Sequence, residues 1–376
     1  MTQPTIAIVG AGLSGLVLAR ILQLHGADAT VYEGDADGDA RSQGGSLDIH
    51  DDSGQLALRA AGLFEQFRVR VQPQGEHTRV LDRNGKVHLD AGPPGEEGGR
   101  PEIDRTVLRR LLLDSLDPDR IAWGHRVTAA ATRPDGRHEL TFADGRTTAA
   151  DLLVGADGTW SRVRPLLSDA KPAYCGITHV EIRIPDPAAH PGPAATVGTG
   201  MIFALGGDRA IMGHGGAHIE LGAAMRVPHD WMTATGIDWM DPGAARATLL
   251  AEYDGWAPEL TELLRVCDDS FVPRRIFALP VGHRWDRVPG VTLVGDAAHV
   301  MSPYAGEGAN LALLDGAELA RALLDHPGDP EAALAAYESD MFARAAASAG
   351  ASAQGLEMCF GPEAPLEIVS FFTAPR

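Results

Sequence analysis

Residues 6–33 constrain this chain more than any other stretch. Ile6-Ala-Ile-Val9 reads as a short strand. Gly10-Ala-Gly12-Leu13-Ser14-Gly15 follows as a glycine loop, then Leu16-Val-Leu-Ala-Arg-Ile-Leu as an apolar helical stripe. A second strand, Ala29-Thr-Val-Tyr, ends at Glu33. Strand, helix and strand in so few residues make a βαβ unit carrying a dinucleotide fingerprint. Gly10 allows the tight turn, Gly12 lets a pyrophosphate approach the backbone, and Gly15 lets helix and strand pack closely. The helix N-terminus, at Leu13 and Ser14, offers free amides and partial positive charge to the phosphates. Glu33 stands where a carboxylate can accept hydrogen bonds from a ribose diol. An acid there disfavours a 2′-phosphate, leaving FAD or NAD.

Bulk properties narrow the rest. The chain has 376 residues, enough for two domains, and is 44% hydrophobic and 22% charged, ordinary for a globular enzyme. Its net charge of −19 argues against nucleic acid or an anionic membrane as partner. Residues 6–24 are apolar, but three Gly, Ser14 and Arg20 interrupt the run and no basic residue precedes it, so neither a membrane span nor a signal peptide is expected. Cys175, Cys267 and Cys359 are scattered, which points to neither a disulfide framework nor a metal site and fits the cytoplasm. A monomer or weak homodimer acting on a small molecule is expected.

Two more glycine-lined stretches follow buried-strand runs. One is Leu152-Leu-Val-Gly-Ala-Asp157-Gly-Thr-Trp-Ser-Arg-Val-Arg164. The other is Val291-Thr-Leu-Val-Gly-Asp296-Ala-Ala-His299-Val-Met-Ser-Pro303-Tyr-Ala-Gly306-Glu-Gly308-Ala309-Asn310. The three motifs, in this order, resemble the class A flavoprotein monooxygenases of the para-hydroxybenzoate-hydroxylase-like fold. The resemblance settles the dinucleotide as FAD. It implies that Asp157 belongs to the flavin site and that Asp296 accepts from the ribityl chain. It also implies that Pro303, Gly306 and Gly308 bring backbone against the isoalloxazine ring. The helix beginning near Ala309 and Asn310 would aim its positive end at the N1–C2=O edge. His299 would support the loop without acting on substrate.

Arg41-Ser-Gln-Gly-Gly-Ser-Leu-Asp48-Ile-His50 and Pro101-Glu-Ile-Asp-Arg105-Thr-Val-Leu-Arg109 are similar to stretches of the tetracycline-inactivating flavin monooxygenases. That likeness implies that Arg105 contacts FAD, that Asp48 belongs to the flavin site and that Arg41 serves NADPH. Arg105 would open an amphipathic helix through Val107, Leu108, Leu111 and Leu112, with Arg109 reading as a surface residue. The substrate-contacting Gln and His of those enzymes fall on Glu181 and Glu220, which suggests a preference for a cationic or differently substituted polycycle.

The expected architecture is α/β with α+β elements. A discontinuous Rossmann-like FAD-binding domain (1–170 and 281–325) carries an antiparallel substrate-binding sheet domain (171–280) and a C-terminal helical segment (326–376). Strands are expected at 177–184, 196–205, 211–214 and 219–227, laid over the flavin's working face. A hairpin turn is expected at Asn84-Gly85, followed by a loop to residue 100. The implied activity is hydroxylation: NADPH reduces FAD, O₂ adds at C4a, and the hydroperoxide delivers oxygen to an aromatic or polycyclic substrate. No side chain is nominated as acid or base. A dehydrogenase or reductase on the same fold, and a ligand-sequestering flavoprotein without turnover, remain open. A halogenase is disfavoured, because no two Trp are spaced by one residue.

Overall fold

The computed structural model describes residues 4–40, 44–71, 77–92 and 99–374. The chain divides into two units: 1–71, 103–173 and 277–352 in the first, and 72–102, 174–276 and 353–376 in the second.

The first unit is built on a five-stranded sheet in which every pairing is parallel. Its order is Val291–Leu293, Leu152–Gly155, Ile6–Val9, Ala29–Tyr32, Ile121–Ala122. Ile6–Val9 and Leu152–Gly155 are buried throughout, as expected of strands covered on both faces. Helix Leu13–Leu24 buries Leu16, Val17, Leu18, Ile21 and Leu22, and packs beside helix Gly308–Asp325. The three motif-bearing strands are adjacent, so their loops emerge together at the carboxyl edge of the sheet. That edge is where open α/β sheets bind ligands.

The second unit holds a seven-stranded sheet. Its order is Val272–Ala278, Ala173–Ile184, Ile219–Arg226, Arg209–His214, Met201–Gly206, Thr78–Asp82, Val87–Ala91. One face carries Val180, Ile182, Leu221, Ala223, Ile211 and Ile202, buried against Leu249, Leu260, Leu263 and Leu264. These last four residues come from helices Pro242–Glu252 and Pro258–Val266.

Two expectations are corrected here. Residues 72–102 belong to the second unit, not to the FAD-binding domain, because the Asn84-Gly85 hairpin joins this sheet through a parallel pairing of Thr78–Asp82 with Met201–Gly206. The turn itself forms as read, with Gly85 at φ 77°. Residues 196–200 are not strand: Pro191–Val197 is a helix with prolines in its first turn, closed by Gly198 at φ 79°. The long helix expected from residue 330 onward forms in the C-terminal segment. This helix, Pro330–Phe360, supplies residues to both units. The segment after the hairpin lies at 93–98 outside the described residues.

Candidate functional site

The first glycine loop has the geometry that its sequence implies. Gly10 sits at φ 107°, and a Cβ there would lie 2.4 Å from the Ala156 carbonyl oxygen. A Cβ on Gly15 would lie 2.2 Å from the Gly10 carbonyl oxygen. Gly12 differs: the nearest atom to its would-be Cβ is 4.0 Å away. Gly10 and Gly15 are therefore required by the protein itself, whereas the space beside Gly12 is open to a ligand. Helix Leu13–Leu24 has no side-chain cap, so its first amides stay available to an anion.

Glu33 lies at the end of the second strand, buried, and its carboxylate grips the loop. Oε2 accepts from Ala11 N at 2.8 Å and Oε1 from Asp35 N at 3.0 Å. Arg109, read as a surface residue, is 3% exposed. Its Nε donates to Ala11 O at 3.1 Å and its Nη1 to Gly38 O at 2.8 Å. On the same helix Leu108, Leu111 and Leu112 are buried as expected, but Val107 is exposed.

Asp157 follows the second motif strand. Its Oδ2 accepts from Arg162 N at 2.6 Å, while Oδ1 has no hydrogen-bond partner among the described residues. Burial pushes its carboxyl above the usual carboxylate range. Asp296 is raised likewise by desolvation, against the pull of His299, Arg105 and Arg164. Yet Asp296 is accessible to solvent. Its exposure leaves the carboxylate within reach of a cofactor's hydroxyls.

One residue that the sequence reading left without a role joins these two motifs. Arg164, 3% exposed, donates from Nε to Ala297 O at 2.7 Å. Its Nη2 donates to Thr159 O at 2.9 Å and to Asp296 O at 3.2 Å. A planar guanidinium can satisfy divergent carbonyls in this way where an ammonium cannot. The available signal was an arginine closing the Val-Arg end of the motif.

In the third motif Pro303 opens a short 3-10 turn and Gly306 closes it at φ 70°. Helix Gly308–Asp325 begins there with no side-chain cap. A Cβ on Gly306 would stand 3.4 Å from Asp48 Oδ1, which brings Asp48 to this turn. Asn310 is fully buried: its Oδ1 accepts from His50 N at 2.9 Å and its Nδ2 donates to Asp48 O at 2.8 Å. Arg105 heads its own helix, its amide donates to Gly45 O at 3.0 Å, and its charge acts on Asp296. Arg41 lies outside the described residues.

Glu181 and Glu220 share one face of the second unit's sheet, as the register sets Glu181 opposite Gly222 and Arg183 opposite Glu220. Each carboxylate has an arginine nearby: Glu181 pairs with Arg274 at 2.5 Å, and Glu220 lies 3.9 Å from Arg183. The face is therefore charge-balanced and not doubly negative. His179 occupies the same face, its ring folded over Gly222, where a Cβ would meet Nε2 at 1.9 Å. Burial lowers its pKa and keeps the imidazole neutral. Further along, Met212 stands opposite Phe203, giving this face an apolar half.

Comparison with known proteins agrees with this geometry. The family model described as "FAD binding domain" matches residues 3–183 and 283–352. The monooxygenase asqM of Emericella nidulans is 31% identical over 372 residues, covering 85% of this chain and 83% of its own. The 3-amino-4-hydroxybenzoate 2-monooxygenase PtmB3 of Streptomyces platensis is 31% identical, over 89% of this chain and 83% of its own. Among solved structures, tetracycline destructase Tet(51) superposes with a TM-score of 0.71 at 21% identity, covering 98% of this chain and 94% of its own.

Proposed function

This chain belongs to the FAD-binding-domain family of class A flavin monooxygenases, and from that premise we propose that it uses NADPH and O₂ to hydroxylate an aromatic or polycyclic small molecule of the polyketide kind. The observation that carries the proposal is the meeting of three motif loops at the carboxyl ends of adjacent parallel strands, two of them joined by Arg164.

FAD, when bound, supplies the activation of O₂. The chain's own residues hold and orient it. Gly12 leaves room for the pyrophosphate, and the uncapped helix at Leu13 offers it amides. Asp157 and Asp296 present carboxylate oxygens to its hydroxyls. The second uncapped helix, at Gly308, is suited to negative charge developing on the reduced ring. Reductant binds transiently; Arg41 is the residue assigned to it.

The sheet face bearing His179, Glu181 and Glu220 supports the substrate class. Met212 and Phe203 suit a flat apolar body, and the paired charges with a neutral imidazole suit an oxygen-rich edge. A neutral polyhydroxylated aromatic matches this face better than a cation does. Among the described residues no helix is long and apolar enough to cross a membrane. Our reading is of a cytoplasmic enzyme, monomeric or weakly dimeric, with NADPH at hand.

The test is a screen of polyketides and aromatic compounds for stimulated NADPH oxidation, followed by mass spectrometry of product formed under ¹⁸O₂. Stimulation with one labelled oxygen in the product supports the proposal. NADPH consumption without label points to a reductase, and tight binding without turnover to a sequestering flavoprotein.

A further inference from the structure

Asp315 holds both ends of the turn that carries Asp296. It lies on helix Gly308–Asp325 and is 1% exposed. Its Oδ2 accepts from Gly295 N at 2.9 Å and stands 2.6 Å from His299 Nε2. Gly295 precedes the single-turn helix Asp296–His299, and His299 ends it. One carboxylate oxygen thus brackets the residue expected to meet the ribityl chain. Nδ1 of His299 has no hydrogen-bond partner among the described residues. The ring lines a cavity of about 10 Å³ together with Leu279, Pro280, His283 and Val300, room for about one water.

We propose that His299 acts as an imidazolium, clamped to Asp315 through Nε2–H and served by one buried water at Nδ1–H, and that this clamp positions Asp296 for FAD. The inference rests on the FAD reading above. A neutral imidazole has one N–H, whereas the cation has two. A carboxylate as buried as Asp315 needs a compensating charge close by. Arg344, on helix Pro330–Phe360, forms an ion pair with its Oδ1 at 3.6 Å, which leaves Oδ2 to Gly295 N and His299 Nε2. His283, from the preceding loop, spends Nδ1 on Ala298 O and is kept neutral by burial. Asp296 lies on the same turn and adds negative potential. Burial opposes charge on His299, but Asp315 outweighs it and raises the imidazole pKa. The imidazolium is therefore held to a higher pH than a free imidazole and is lost as pH rises through that raised value.

His299 is a positioning residue, so the test includes readouts that a structural role alone would not move. In apoprotein with ¹⁵N-labelled histidine at pH 7, His299 shows both ring nitrogens protonated, and D315N abolishes that signal. FAD titrations from pH 6 to 10 give a flat affinity that falls at the alkaline end. In H299Q affinity is weaker by about tenfold, equivalent to ~1.4 kcal/mol, and the alkaline fall disappears. Amide exchange at 295–300 quickens in H299Q, or in D315N should H299Q fail to fold. A neutral His299 at pH 7, or an H299Q that keeps wild-type affinity and its alkaline fall, overturns the proposal. Wild-type protein that takes up no FAD at any pH overturns the cofactor reading and the link to Asp296. The clamp itself then stands or falls on the imidazole signal and the exchange rates.

Discussion

The two peptide groups that flank the Ala11 Cα are both held: Glu33 Oε2 accepts from the Ala11 N–H at 2.8 Å, and Arg109 Nε donates to the Ala11 carbonyl oxygen at 3.1 Å. The glycine loop is thereby fixed by two charged side chains from different elements before any cofactor arrives. Replacing Arg109 with Met leaves two carbonyls without their charged donor. Hydrogen bonds to charged groups are worth about 1.5–3 kcal/mol each. We expect R109M to lose about 2–4 kcal/mol in urea unfolding of the apoprotein and to bind FAD more weakly. Wild-type stability would show that the guanidinium does not brace the loop.

Gly10 and Gly12 should respond differently to alanine. At Gly10 the new Cβ meets backbone at 2.4 Å and the φ of 107° is itself costly, so G10A should lower the melting temperature even without FAD. At Gly12 nothing lies closer than 4.0 Å, so G12A should fold normally and fail at FAD binding. Thermal unfolding of both apoproteins, beside FAD titration, separates the two cases. Equal melting losses would contradict this division of labour.

Arg164 to Lys preserves charge and removes the fork that reaches Ala297 O and Thr159 O together. The expected result is at least tenfold weaker FAD binding, with a stability loss of about 1–3 kcal/mol. Fluorescence titration with FAD measures the first and urea denaturation the second. A Lys variant that matches wild type on both counts would show that the two motif loops need no shared donor.

Glu181 and Arg274 are 43% and 56% exposed, and a pair so wet contributes little. E181Q should change stability by less than about 1 kcal/mol. Because the face is charge-balanced, E181Q and E220Q should each alter KM for neutral and cationic substrates by similar factors. Stimulated NADPH oxidation across a charge series of substrates reads this out. A selective loss of cationic substrates would restore the idea of a bare carboxylate pocket.

His138 is fully buried, with Nε2 at 3.1 Å from Pro289 O and Nδ1 at 3.2 Å from Thr132 Oγ1. Burial lowers its pKa below 6.5. The unfolded chain therefore takes up this proton more readily than the folded one. Stability is complete above about pH 6.5 and falls as pH drops towards the lowered value, at up to ~1.4 kcal/mol per pH unit for one proton. Urea unfolding at pH 7.5, 6.5 and 5.5 should show the decline. The H138N variant should show a shallower one, and an unchanged slope would acquit this residue.

Several features were legible because they are local. The βαβ unit shows itself in glycines and strand periods a few residues apart, and so do the two later motif loops and the Asn84-Gly85 turn. What local pattern could not settle was pairing. Thr196 and Val197 read as strand because β-branched residues favour it, but Pro191 and Pro193 preset a first helical turn that Gly198 closes. The hairpin at residues 78–91 gave no hint of which sheet it would join.

Charge placement was the other gap. Arg109, Arg164 and Asp315 are ordinary residues in sequence, and an acid or arginine on a helix is exposed far more often than buried. Only folding brings Ala11, Ala297 and Gly295 to them. Short-range steric demands therefore wrote the nucleotide-binding turns into the chain, glycine by glycine. The hydrogen-bonded charges that hold those turns together depend on residues up to about a hundred or more positions apart. Contacts of that separation exist only once the parallel sheet has set its strand order.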